Sequence, residues 1–515
     1  QKLLLEYPHS TYSASAFYSL GWCLFEQGKF QGAKDKFMAM KQAFPVSPLA
    51  KEADLKLAEC LYQLKDYAGL RNHLELFLKS VSGEGEDSAL LKFYLAESCY
   101  YLQDYPCAKE NYASARKLSR DDDLISLIEL GLGWCALKAN EYPEAKTHFE
   151  QILKTQGEEN AWENALLGEA LSRQISQELE PALESYEKLI IMAKNPATRL
   201  DAILGKAEVL CGLARYKEAV AVYEQAGSFQ GPEFDQPKIA RLTSGAAEAV
   251  FYLGKAYYDN GDYLSGYLSL RNFRDKFPVS SLKDRALILE GLCLKSLRRY
   301  QEACGIFRLS AGSSQDSGIS ARAELELNDC LYTLGKIEEA LSGFEAIRAK
   351  YPPSEATVSL ALLKLAGHYA QENKLDLSKG YLLDLISSRP EPDILDEAYQ
   401  RIVKVCKAMG DLKEAISYYR LSLKESPRDL LRRQFQLAEY LEEAGEFQEA
   451  IGLYSGIAGD SALLAKGLLR CANISENSGD WESALRFYGM AAELNVPESR
   501  FAIERIETIK GGDKE

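Results

Sequence analysis

Residues 15–45 read SAFYSLGWCLFEQGKFQGAKDKFMAMKQAFP. Against a helical period the stretch gives two short amphipathic helices broken at Gln27-Gly28-Lys29. The first carries Phe17, Leu20, Gly21 and Leu24 on one face. The second carries Ala33 and Phe37 and stops at Phe44-Pro45, where proline cannot continue a helix. Neither helix has enough apolar surface to fold alone, so the reading turns on whether the hairpin recurs.

It recurs. Ala33 has equivalents at Leu70, Ala108, Ala145, Ala182, Ala219, Gly266, Ala303, Ala340, Ser378, Ala415, Ala450 and Ala484, most of them 37 residues apart. Only Leu70 is large, because a small residue here lets the second helix approach the first, and overpacking would cost about 1–3 kcal/mol. Three residues before the anchor stands a large apolar side chain (Phe30, Tyr67, Tyr105 and so on to Trp481). Four after it comes an aromatic or Leu, as at Phe37, Tyr112, Phe149 and Phe344. Offsets of three and four share a helical face, so these side chains are expected to wedge between helices rather than to hold a cofactor. Twelve before the anchor Gly or Ala recurs, at Gly21, Ala58, Ala96, Gly133, Gly254, Gly291, Ala366, Ala438 and Ala472, again a signal of close packing.

The pattern Phe17-x2-Leu20-Gly21-x2-Leu24…Ala33-x3-Phe37…Pro45 resembles the tetratricopeptide (TPR) signature, W-x2-L-G-x2-Y…A-x3-F…P. The resemblance implies an all-α fold, a right-handed TPR superhelix (α-solenoid) of about thirteen helix-turn-helix repeats. The aromatic-Pro-x-Ser marks at Tyr7-Pro8, Phe44-Pro45, Phe277-Pro278 and Tyr351-Pro352 close one repeat and cap the next. The first of these makes 1–9 the tail of a repeat truncated upstream. Six repeats then occupy 10–226, a connecting loop 227–238, seven repeats 239–495 and a capping helix 496–510. Shorter polar connectors are expected at 80–88, 154–160 and 310–318, and 511–515 reads as a frayed tail.

The formal net charge of −15 argues against nucleic acid as a partner, since that needs a basic face. No apolar run is long enough to enter a bilayer as a spanning helix. Catalytic, cofactor and metal sites are all expected to be absent. Eleven cysteines show no C-x2-C spacing, and Cys23, Cys60, Cys135, Cys293 and Cys330 fall ten residues before their anchors, the pattern of small buried apolar residues. Gly131-Leu132-Gly133 begins a false G-x-G-x-x-A match inside a helix. His9, His73, His148 and His368 have no ligand spacing.

In TPR arrays the first helix of each repeat lines the concave face. Eleven before the anchor the chain carries Glu59, Glu97, Glu208, Asp329 and Glu439; eight before it stand Phe25, Tyr62, Tyr100, Tyr258 and Tyr332. The two registers share a helix face. Together Glu59, Tyr62, Glu97, Tyr100, Glu208, Tyr258, Asp329, Tyr332 and Glu439 predict an acidic, tyrosine-lined groove for protein partners with basic or extended segments. The carboxylate clamp of chaperone-binding TPRs is not expected, because Trp22, Glu59, Glu97 and Trp134 hold its Asn position. Arg285 and Arg322 form a small basic exception. The 37-residue period and the punctuation resemble bacterial cell-envelope TPR proteins, of the Tol-Pal-associated coordinator and outer-membrane assembly lipoprotein type. That likeness implies a non-catalytic scaffold in the envelope or periplasm, although eleven cysteines favour a reducing setting such as the cytoplasm. The competing expectation is a substrate-selecting or regulatory region of a larger enzyme or regulator, with its catalytic or DNA-binding domain upstream.

Overall fold

A computed structural model describes residues 10–80, 86–155, 159–228, 235–425 and 429–512, and these form 27 α-helices and no strand. The expected tail 1–9, including Tyr7-Pro8 and His9, lies outside them, as do 81–85, 156–158, 229–234, 426–428 and 513–515. Cα packing divides the chain into two compact units, Gln1–Ala256 with Asp275–Leu282, and Tyr257–Arg274 with Lys283–Glu515.

In the first unit the helices pair as α1 (Ser13–Glu26) with α2 (Phe30–Ala43), α3 (Ala50–Gln63) with α4 (Tyr67–Ser80), and α5 (Glu86–Tyr101) with α6 (Tyr105–Leu118). Then come α7 (Asp122–Lys138) with α8 (Tyr142–Lys154), α9 (Glu159–Ile175) with α10 (Leu179–Met192), and α11 (Pro196–Gly212) with α12 (Tyr216–Gly227). The long α13 (Gln236–Asp259) and α14 (Tyr263–Lys276) follow, α13 already helical at the end of the stretch expected as the 227–238 loop. The second unit continues with α15 (Lys283–Ser296), α16 (Tyr300–Ser313), α17 (Ser317–Thr333), α18 (Ile337–Lys350), α19 (Ala356–Gln371) and α20 (Leu375–Ser387). It closes with α21 (Pro392–Ala408), α22 (Leu412–Glu425), α23 (Leu430–Glu443), α24 (Phe447–Ser455), α25 (Ser461–Asn477), α26 (Trp481–Ala492) and α27 (Pro497–Gly512). α27 packs on α25 and α26.

The anchor and the aromatic or Leu four residues after it are buried in every pair. Ala33, Ala108, Ala145 and Ala340 are fully buried, and so are Phe37, Phe149 and Phe307. The Gly slot has the expected steric cause: a Cβ at Gly21 would lie 2.8 Å from the Phe37 ring, and one at Gly133 2.6 Å from Phe149. In the ninth repeat that slot holds Asn328, and the second helix yields instead, with Gly343 facing the Asn328 amide.

Three regularities are legible only once the helices are assembled. First, the turn inside each repeat places the residue five before the anchor in the left-handed region, in all thirteen repeats. Six of these are Gly, such as Gly28 (φ 70°) and Gly335 (φ 78°), and seven are not, among them Lys65, Gln103 and Ala214 (φ 58°). Second, Gly131, Gly168 and Gly205 lie against Tyr112, Phe149 and Tyr186 of the preceding repeat, so that Phe149 is gripped between Gly133 and Gly168. Third, the residue after the anchor pairs with the residue that opens the next repeat's second helix. Lys34–Asp66 (3.2 Å), Arg71–Asp104 (3.0 Å), Lys109–Glu141 (2.6 Å) and Lys146–Glu178 (2.8 Å) form a ladder through the first five repeats. An acid suits a helix N-terminus, and the Asp104 carboxylate also accepts from the Cys107 N–H.

Most first helices of neighbouring repeats touch each other within each unit: α1–α3, α3–α5, α5–α7, α7–α9 and α9–α11 in the first, α15–α17, α17–α19, α19–α21 and α23–α25 in the second, where α21 and α23 do not. Among the described residues no two second helices do so. The first helices therefore make a closely set face in each unit.

Candidate functional site

That face carries the residues expected to bind. Glu59 lies on α3 and takes both carboxylate bonds from Lys56 (2.7 and 3.0 Å), whose ammonium sits 4.5 Å from the Trp22 ring centre. Glu208 on α11 is held by a fork from Arg241 and by Gln174 at 3.2 Å. Asp329 on α17 lies between Lys295 (2.7 Å) and Lys364; burial would raise its carboxyl, but the two ammonium groups win and its pKa is lowered. Glu439 on α23 is 3.8 Å from Arg470. Four of the five acids thus meet a cation from their own helix or an adjoining repeat. The expected acidic face therefore carries ion pairs at four of its five acids. The cations that neutralise it sit at other registers of the first helices, which is why the eleven-before register alone showed only acid.

The tyrosines are likewise half-buried rather than free. Tyr62 packs against Tyr67 and Tyr94, with ring centres 6.3 and 5.2 Å away. Tyr100 packs against Tyr105, Tyr258 against Tyr263, and the Tyr332 hydroxyl lies 3.2 Å from His368 Nδ1. Burial pushes the Tyr100 and Tyr258 phenols above their ordinary range. Tyr62, Glu97 and Tyr100 do come together, lining one cavity in the first unit with Tyr94, Tyr112 and Trp134. Tyr258, Asp329, Tyr332 and Glu439 belong to the second unit and do not share that cavity.

A further set was missed in sequence. Tyr186, Tyr454 and Tyr488, four after their anchors, donate to Gln174 (2.7 Å), Glu442 (2.9 Å) and Glu476 (2.9 Å), which occupy the eight-before register of the same repeats. Where that register is Phe25, Leu137, Lys295 or Tyr332, the partner is Phe37, Phe149, Phe307 or Phe344. A buried phenol needs an acceptor, but this register does not foretell it everywhere: Tyr112 and Tyr419, with Tyr100 and Lys407 eight before their anchors, donate instead to Glu97 and to Gln436.

The cysteines need one correction and one addition. Cys60, Cys135, Cys293 and Cys330 are buried as expected, but Cys23 is exposed. Burial pushes the Cys60 and Cys135 thiols up to about 12, which makes them poor nucleophiles. Cys99 on α5 and Cys107 on α6 are disulfide-bonded across one repeat. Among the described residues no group of three His, Cys, Asp or Glu could hold a metal ion, and no helix is long and apolar enough to cross a membrane.

Comparison with known families agrees with the helix pairs. Residues 15–45, 129–156 and 396–429 match models described as tetratricopeptide repeat. These are TPR repeats. Among solved structures, the APC/C hetero-tetramer Cut9–Hcn1 is similar at 14% identity over 98% of each chain, with a TM-score of 0.28. A tetratricopeptide repeat protein from Parabacteroides merdae is similar at 17% identity over 51% of this chain and 97% of its own, TM-score 0.30. The TPR domain of P58(IPK) is similar at 16% identity over 68% and 99%, TM-score 0.25. The superpositions are loose, and the TPR assignment rests on the repeat matches and the helix pairs. No match was found among curated proteins.

Proposed function

We propose that this TPR chain is a non-catalytic protein–protein interaction scaffold that takes extended partner segments on the first-helix face of its repeats. The observation that carries the reading is that face itself. First helices of neighbouring repeats adjoin, and they present half-buried tyrosines beside carboxylates. Tyrosine supplies contact area at small entropic cost and carboxylates supply orientation, the combination that recognises backbone and basic side chains. Because most carboxylates here already hold a cation, partner recognition rests on tyrosine contacts and on exchange of ion pairs more than on raw negative charge.

Hydroxyl-radical footprinting of a complex captured from the source organism tests this. Tyr62, Tyr100, Tyr258 and Tyr332 should be protected by the partner, while Leu76 and Ile191, exposed on second helices α4 and α10, should not. Protection confined to the second helices, or no retained partner, overturns the reading.

We further propose an envelope setting for the scaffold. The aromatic-Pro-x-Ser punctuation supports it, and so does the Cys99–Cys107 bond, which an oxidising compartment sustains. Mass spectrometry of native protein alkylated before unfolding should recover the Cys99–Cys107 cross-linked peptide; both thiols fully alkylated would oppose the setting.

A further inference from the structure

Glu97 differs from the other acids of its register. Among the described residues no Lys, Arg or His forms an ion pair with it, whereas Glu59, Glu208, Asp329 and Glu439 each have one. Its two oxygens accept phenolic hydrogen bonds instead, Oε2 from Tyr62 at 3.0 Å and Oε1 from Tyr112. A carboxylate has about four acceptor positions, so two hydroxyls leave capacity unused. Two neutral donors also leave its charge unbalanced.

The surroundings are shaped for a cation. Glu97 lies on the wall of a cavity of about 660 Å³, within the size range of ligand sites, and Tyr62, Tyr94, Tyr100, Tyr112 and Trp134 line it with rings. Aromatic faces attract positive charge, and a half-buried carboxylate gains most from a partner that arrives already weakly hydrated. The one basic residue on the lining, Lys138, is exposed and forms no ion pair with Glu97. Guanidinium fits better than ammonium. Its planar fork matches a carboxylate edge and its face stacks on tyrosine or tryptophan.

We propose that this cavity receives an arginine side chain from an extended segment of a partner protein, with Glu97 as its counter-ion and Tyr100 and Trp134 as stacking surfaces. The inference rests on the scaffold reading and adds a specificity to it. The volume exceeds that of one side chain, so residues flanking the arginine enter as well. Among the described residues the four other acids of this register offer no equivalent, because each is already paired.

The test is calorimetric titration of the full chain with acetyl-Ala-Ala-Arg-Ala-Ala-amide and with the same peptide carrying citrulline, which keeps the shape and removes the charge. The arginine peptide should bind at least about 10-fold more tightly, a difference of roughly 1.4 kcal/mol. Glu97→Gln should erase that preference, and Trp134→Leu should weaken arginine binding with Glu97 intact. Equal binding of the two peptides by wild type, or no binding of either, overturns the proposal without depending on any variant's folding. A preference that survives in Glu97→Gln also overturns it. If the footprint of the captured partner on Tyr258 and Tyr332 persists while the arginine preference is absent, the scaffold stands and the arginine pocket falls.

Discussion

Ala214 occupies a left-handed turn position that six of the thirteen repeats give to glycine. An L-residue with a Cβ loses about 1–2 kcal/mol there, while glycine loses about 0.5–1 kcal/mol of extra chain entropy on folding. Ala214→Gly should therefore raise the urea midpoint of the first unit by the equivalent of about 0.5–1 kcal/mol, and Gly335→Ala should lower that of the second; the reverse order would refute the turn geometry. Glu97 permits a prediction with a sign. Burial raises its carboxyl above the ordinary 4.5, and the Tyr112 and Tyr62 hydrogen bonds offset this only in part. A raised folded-state pKa means the stability contributed by the protonated form is whole below pH 4.5 and is lost as pH rises through the folded value. Glu97→Gln carries no charge to desolvate. Its Tm should gain on the wild type as pH climbs from below 4.5 to neutral, as thermal melts across that range would record. A difference that does not change with pH would mean the carboxyl is solvated alike in both states.

Between helices, the ladder Lys34–Asp66, Arg71–Asp104, Lys109–Glu141 and Lys146–Glu178 joins each repeat to the next. Its members are partly exposed, so each rung contributes only about 0.2–1 kcal/mol. Replacing Lys34, Arg71, Lys109 and Lys146 together by Gln should lower stability by about 1–2 kcal/mol at low ionic strength. Most of that loss should vanish near 1 M salt, where screening shortens to about 3 Å. An undiminished loss at high salt would show that the aliphatic stems, not the charges, join the repeats. The ladder's two registers are visible in the sequence, but cation and acid stand 32 or 33 residues apart. Nothing local links them. Only the stacking of one second helix beside the next repeat's turn brings them together.

Over the whole molecule, each repeat packs on its neighbours, so damage should spread only locally. Phe149 is gripped by Gly133 of its own repeat and Gly168 of the next. Phe149→Ala should cost about 3–5 kcal/mol. Hydrogen exchange measured by mass spectrometry should quicken in α7–α10 and stay unchanged in α19–α22. Uniform loss of protection in both units would instead mark one cooperative structure.

Hairpin, anchor and aromatic wedge were all readable in the sequence, because they are set by period and residue size inside one repeat. Ala33 measures out the thirteen repeats, and the Gly and Ala slots follow from the room an aromatic ring needs. Charge balance was not readable in this way. Glu59, Glu97, Glu208, Asp329 and Glu439 look alike along the chain; Glu59 takes Lys56 from its own helix, and Glu208, Asp329 and Glu439 acquire a cation only when adjoining helices are set side by side. Electrostatic partners are chosen by distance in space, and that distance depends on how neighbouring repeats stack. The same stacking leaves Glu97 among tyrosines with its charge unmatched.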